Sequence, residues 1–241
     1  WAAIALAANG VDAGGFSNNG ASLESFLLQD VPGDSASASD WESRVLAIIA
    51  IGKNPTNFGG INYVDKLEAF YKEGQIGETY LANDDYFGLL ALLAAGPAAD
   101  TQIKQDTLEF IIAHQGSGGG FSWSADQSCD FCSSSADMTA AGLQALSLAK
   151  SRGMTADGLD DATSRAKDYL LSNQNGDGGF GYFGFSDADS TSWVLGAFNV
   201  SGMIDSPEAQ SARSWILTQQ NADGGFLSWD GSNPVTTSHT L

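Results

Sequence analysis

Reactive side chains are few in this chain, and their spacing narrows the chemistry open to them. Cys129 and Cys132 form a single Cys-x-x-Cys inside Ser128-Cys129-Asp-Phe-Cys132-Ser-Ser-Ser135. One such pair supplies at most two ligands to a metal, and no second Cys-x-x-Cys or His-x3-His completes a zinc site. A redox pair would open a helix after a strand, and no strand pattern precedes it. The favoured reading is a local disulfide in an exported protein, with free thiols and a metal or redox pair as alternatives. Asn173-Gln-Asn175-Gly-Asp177-Gly178 has the outline of a calcium loop, but the bidentate Glu expected downstream is missing, so its polar residues read as turn and capping residues. His114 ends a predicted helix, where a cation faces the carbonyl end favourably. No metal and no cofactor are expected. An acid recurs at Asp40, Asp84, Asp137 and Asp189, each followed six residues later by Leu. A residue that returns in every full repeat is expected to be a helix N-cap, worth about 1 kcal/mol.

These residues sit in a repeated frame. Phe110-Ile-Ile-Ala-His-Gln115-Gly-Ser-Gly-Gly-Gly-Phe121, Tyr169-Leu-Leu-Ser-Asn-Gln174-Asn-Gly-Asp-Gly-Gly-Phe180 and Trp215-Ile-Leu-Thr-Gln-Gln220-Asn-Ala-Asp-Gly-Gly-Phe226 share an aromatic, a Gln five positions on, a glycine pair and a Phe six positions after the Gln. Self-similarity at about 50 residues marks a repeat architecture. After each recurring Asp the chain is small and apolar all round, the pattern of a helix with no solvent face. The stretches 100–114, 160–173 and 207–219 are amphipathic instead, and strand signals are nearly absent. Trp1 to Gly10 falls in register with Trp193 to Gly202, and Val235 to Leu241 matches the start of another buried helix, with Val235 in the Asp position. The expectation is an all-α chain, 1–241 as one α/α toroid, with about six inner and six outer helices and cut at both ends.

Net charge is −19, from 29 Asp and Glu against only 10 Lys and Arg. Such a surface repels phosphate backbones and anionic headgroups, so nucleic acid is not an expected partner. No apolar run approaches the ~18 residues of a membrane span.

The aromatic-Leu/Ile-x3-Gln-x3-Gly-x-Phe segments resemble the QW-type repeat of the prenyltransferase and squalene–hopene cyclase superfamily, with Gly74-Gln-Ile-Gly77 as a decayed fourth copy and Phe26-Leu-Leu-Gln29 as a remnant of a fifth. The resemblance implies a terpenoid-cyclase-like toroid in which each repeat joins an outer helix to the next inner one. It is similar to class II terpene cyclases where Asp187-Ala-Asp189-Ser190-Thr191 stands: the family motif Asp-x-Asp-Asp-Thr places its proton-donating acid at Asp189, with Asp187 beside it. Here the third acid is Ser190. Asp137 holds the same place one repeat earlier. The cysteines do not match the zinc register of protein prenyltransferases, and no Gly-Cys-Gly-Glu-Gln thioester segment occurs. The function expected is a non-catalytic module of an extracellular or cell-surface protein that binds an apolar small molecule or a protein partner, or acts structurally. A class II cyclase-like isomerase using Asp189 and a carrier of a corrinoid or other apolar ligand are the alternatives. Trp123, Tyr182 and Trp229 follow the three Phe residues and are expected to line one end of the toroid as a binding rim.

Overall fold

Helices that bury residues on all sides must be surrounded by others, and the chain meets that demand by closing a ring. The computed structural model describes residues 1–18, 20–126, 128, 132–228 and 231–240. Its helices are α1 (Ala2–Ala8), α2 (Leu23–Gln29), α3 (Ala38–Ala50), α4 (Tyr63–Glu68), α5 (Asn83–Ala95), α6 (Thr101–Ala113), α7 (Ala136–Ser151), α8 (Leu159–Ser172), α9 (Ala188–Val200), α10 (Pro207–Leu217) and α11 (Pro234–Thr240). The odd-numbered helices pack on one another in chain order, and α1 meets α11, which closes the inner ring. The even-numbered helices lie outside it. Among the described residues there are thus six inner helices and five outer ones, an α/α toroid. None is long and apolar enough to cross a membrane.

Side-chain pattern accounts for the layers. In α5, Tyr86, Gly88, Leu89, Ala91, Leu92 and Leu93 are all buried, leaving little outward surface. In α8, burial is confined to Leu159, Ala162, Thr163, Ala166 and Leu170, one helical stripe. Four antiparallel hairpins of two-residue strands also occur: β1 (Ser17–Asn18) with β2 (Ala21–Ser22), β3 (Tyr71–Lys72) with β4 (Gln75–Ile76), β5 (Gly181–Tyr182) with β6 (Phe185–Ser186), and β7 (Leu227–Ser228) with β8 (Gly231–Ser232). Strands this short leave no alternation for a sequence reading to detect.

The repeated Gln and Phe perform the stitching between layers. Gln115 Nε2 donates to Gly119 O in its own loop and to Ala162 O in the next outer helix, both at 2.8 Å. Gln174 Nε2 does the same with Gly178 O and Glu208 O, again at 2.8 Å. Gly178 turns the loop at φ 93°, a conformation that costs a residue with a Cβ dearly. Phe121, Phe180 and Phe226 are buried plugs. Their backbone N–H groups donate to the hydroxyls of Thr139, Thr191 and Thr237, each at 2.9 Å. In the decayed copy the plug is Ile76, and its N–H goes to Asp85 Oδ1 at 2.8 Å.

Candidate functional site

The inner helices run parallel, so their first turns share one rim, and the recurring acids lie there. They are not the N-caps expected from the sequence. Ser37 caps α3, and Asp40 stands at the third helical position, where its carboxylate accepts the Ser37 N–H at 2.8 Å to complete a capping box. Asp84, Asp137 and Asp189 are each the second residue of their helix. The cap of α9 is Asp187, which takes the Ser190 N–H at 2.7 Å and the Ser190 hydroxyl at 2.8 Å. A cap needs extended backbone, which Asp187 has (φ −132°, ψ 154°). Two residues on, the backbone is already helical, and the acid turns toward a neighbouring element.

That freedom decides the partners. Tyr182 donates its phenol hydroxyl to both Asp137 oxygens at 2.8 Å, and the Ser135 hydroxyl donates to the same carboxylate. Burial pushes the Tyr182 pKa up, and the Asp137 charge adds to it. Asp189 Oδ1 meets His239 Nδ1 of α11. Burial raises the Asp187 carboxyl, against the lowering effect of the Ser190 bonds, and the charges of Asp189 and Asp137 raise it further. Three carboxylates are therefore close enough to feel one another.

Beside the Asp189–His239 pair the ring is packed with aromatics. Trp1 lies 4.7 Å from the His239 ring centroid, 5.3 Å from Trp193 and 6.1 Å from Phe87, and Trp193 lies 5.3 Å from Phe87 and 5.2 Å from His239. The rings come from α1's entry, α5, α9 and α11, so the cluster gathers side chains from around the ring. An acid–imidazole pair walled by aromatic rings can hold a proton or face a cation. An acid that protonates an alkene needs a dry setting, whereas 44% of the Asp189 side chain is open to solvent.

The remaining expectations divide. Tyr182 and Trp123 are both half-exposed, and the Trp123 carbonyl accepts the Ala82 N–H at 2.9 Å, fastening its loop to α5. Trp229 lies outside the described residues. Cys132 is buried and disulfide-bonded, while Cys129 lies outside the described residues. Asp177 accepts from the Gly179 N–H at 3.0 Å and the Ser186 hydroxyl at 2.7 Å, so that carboxylate orders its own turn. His114 stands at the C-terminus of α6, its Nδ1 2.8 Å from Phe110 O. Sequence reasoning missed His239, Trp1, Phe87 and Trp193 as neighbours of Asp189, and the three threonines as partners of the plugs. An Asp-x-Thr pattern at 137–139 and 189–191 was the signal available for the threonines.

A second group of acids is buried between α3 and α5. Glu42 is 2% exposed, and neither carboxyl oxygen has a hydrogen-bond partner among the described residues. Burial raises it well above the usual carboxylate range, and the charges of Asp84, Asp85 and Asp40 add to that. Asp85 is pushed up to about 8, chiefly by burial, and its Oδ2 also has no partner among the described residues. Among the described residues no three His, Cys, Asp or Glu side chains are arranged to hold a metal ion. A cavity of about 820 Å³ opens between the Gln174–Gly178 loop and α10.

The comparisons with known proteins agree with this architecture. No curated protein matches the sequence. Among solved structures, ent-copalyl diphosphate synthase from Streptomyces platensis is similar over 99% of this chain, with a TM-score of 0.65 and 18% identity, a likeness of fold. The chain spans 48% of that protein's length. The model of the prenyltransferase alpha-alpha toroid domain matches residues 61–240, well over half of the sequence. With its alternating rings and Gln–Gly–Phe stitches, the chain belongs to the prenyltransferase alpha-alpha toroid family.

Proposed function

We propose that this toroid binds a ligand or partner without turning it over, and that its binding face is the rim where the inner helices begin. The observation that carries this reading is the setting of Asp189. The one acid that aligns with a cyclase proton donor is nearly half open to water and faces His239, while aromatic rings fill the space beside it. The test is incubation with squalene, oxidosqualene and C15–C20 prenyl diphosphates, followed by mass spectrometry. Unchanged substrate is the expected result. A cyclic product that disappears in Asp189→Asn overturns the reading, and loss of product only in Asp137→Asn moves the acid to another repeat.

The second reading, a class II cyclase-like isomerase, is favoured by one feature: a carboxyl–imidazole pair flanked by Trp1 and Trp193, groups able to stabilise a cation. The same assay separates the two. Native mass spectrometry of the purified protein distinguishes a retained apolar ligand, such as a corrinoid, from an empty rim. An extracellular or cell-surface location is supported by the bonded state of Cys132, since disulfides persist in oxidising compartments. Titration of denatured, unreduced protein is expected to find no free thiol; two free thiols would contradict that location.

A further inference from the structure

The hairpin 181–186 projects more apolar surface than any fold requirement explains. Phe183 is 94% exposed, Phe185 77% and Tyr182 47%. Its two turn residues, Phe183 and Gly184, have φ of 52° and 80°, a type I′ geometry that favours Asn-Gly. The β3–β4 hairpin makes the same kind of turn with Glu73 and Gly74, a polar tip. A Phe at this position gains nothing from the turn and buries nothing.

The tip is held rigidly from below. The Tyr182 hydroxyl is bonded to Asp137, the Ser186 hydroxyl donates to Asp177 at 2.7 Å, and Asn175 Nδ2 donates to Ser186 Oγ at 2.9 Å. Gly181 lets the hairpin lie on the cap of α9, since a Cβ there would come within 2.7 Å of the Asp187 carboxylate. An element fixed in advance loses little entropy when it is covered.

Charge identifies what covers it. The acids beside the hairpin are Asp137, Asp177, Asp187 and Asp189, and the sequence from Asp168 to Ala212 holds no Lys or Arg. Asp187 follows the hairpin directly, and Asp137 touches it. Resting on the rim reading above, we infer that the hairpin docks a polypeptide segment in which Arg or Lys side chains alternate with apolar ones. Its apolar groups lie against Phe183 and Phe185, and its cations reach Asp187, Asp189 and the aromatic faces. A second copy of this chain would bring another −19 to the same face, and an anionic bilayer is repelled likewise.

The test is fluorescence anisotropy with labelled peptides of alternating Arg–Leu, Glu–Leu and Arg–Ser, run against the wild type and a Phe183→Asn/Phe185→Ser variant. Asn suits the turn, so the variant keeps its fold. The Arg–Leu peptide is expected to bind, to weaken with salt, and to lose roughly tenfold or more in affinity in the variant, as loss of a hot-spot aromatic does. If Arg–Leu and Glu–Leu peptides bind alike and the variant abolishes both, the rim still binds but the inference of a cationic segment fails. Binding of Arg–Leu that the variant leaves unchanged, or matched by Arg–Ser, removes the hairpin from recognition. Absence of Arg–Leu binding, binding to phosphatidylcholine vesicles in its place, or a dimer in sedimentation that the variant dissolves each overturns the inference.

Discussion

Asp85 and Thr191 do the same job in two repeats and are satisfied very differently. Each accepts the N–H of a buried plug residue, Ile76 in one case and Phe180 in the other. The threonine hydroxyl can also donate, and it returns a bond to Phe180 O at 3.2 Å. The carboxyl has a second oxygen to satisfy, and Asp85 Oδ2 is left buried beside Glu42, whose own oxygens have no hydrogen-bond partner among the described residues. The bond to a plug N–H is therefore made either by a self-sufficient hydroxyl or by an acid that needs a proton. The lesson is that the QW-like frame fixes where a hydrogen-bond acceptor is required but not its chemistry. The decayed repeat meets the same requirement with a group that titrates.

The largest effect expected from this contrast is on pH dependence. The Asp85 carboxyl is raised from 3.8 to about 8, and Glu42 is raised in the same direction. The folded state holds these protons more tightly than the unfolded chain. The Asp85 contribution to stability is therefore complete below about pH 4 and is lost as pH rises through about 8. Denaturant midpoints are expected to fall between pH 5 and pH 8. Asp85→Thr, which copies the sister repeats, should remove the Asp85 share of that slope and stabilise the protein at pH 8 by a few kcal/mol, on the order of the shift itself, while the Glu42 share remains. A wild-type midpoint that stays flat over this range would break the comparison.

Thr191→Val tests the other side of it. The Phe180 N–H loses its partner in a fully buried setting, at an expected cost of about 1–3 kcal/mol with no new pH dependence. Thr237→Val removes the same bond where it is only partly buried, so its loss should be smaller. Equal losses would mean that burial of the plug does not set the value of the bond.

Capping gives a smaller effect and a sharper one. Asp187→Ala should cost about 0.5–2 kcal/mol because it removes the acceptor for the Ser190 N–H. Asp189→Ala removes only an acid in the first turn and its contact with His239, and should cost under about 1 kcal/mol. A reversed order in urea melts would return the capping role to Asp189. Smallest of all, Phe183→Asn should stabilise the protein slightly, by about 0.5 kcal/mol, through turn geometry alone. A loss of stability would show that Phe183 packs in the fold.

The repeat, the alternation of buried and amphipathic helices, and the ring they close were legible in the residues because each rests on local spacing. A glycine at positive φ a few residues after the Gln turns the loop wherever the repeat stands, and a helix apolar on all sides must be enclosed. Even the decayed copy at Gly74–Gly77 kept its plug. What the recurring acids do was not legible. Asp137 and Asp189 occupy the same helical position, yet one binds the Tyr182 hydroxyl and the other His239, because different side chains stand at the next step around the ring. Trp1 meets Phe87 and Trp193 only because α1, α5 and α9 face one interior. Local spacing sets backbone conformation through sterics and hydrogen bonds within a few residues. Partners 45 or more residues apart are set only when the ring closes and brings its first turns to one rim.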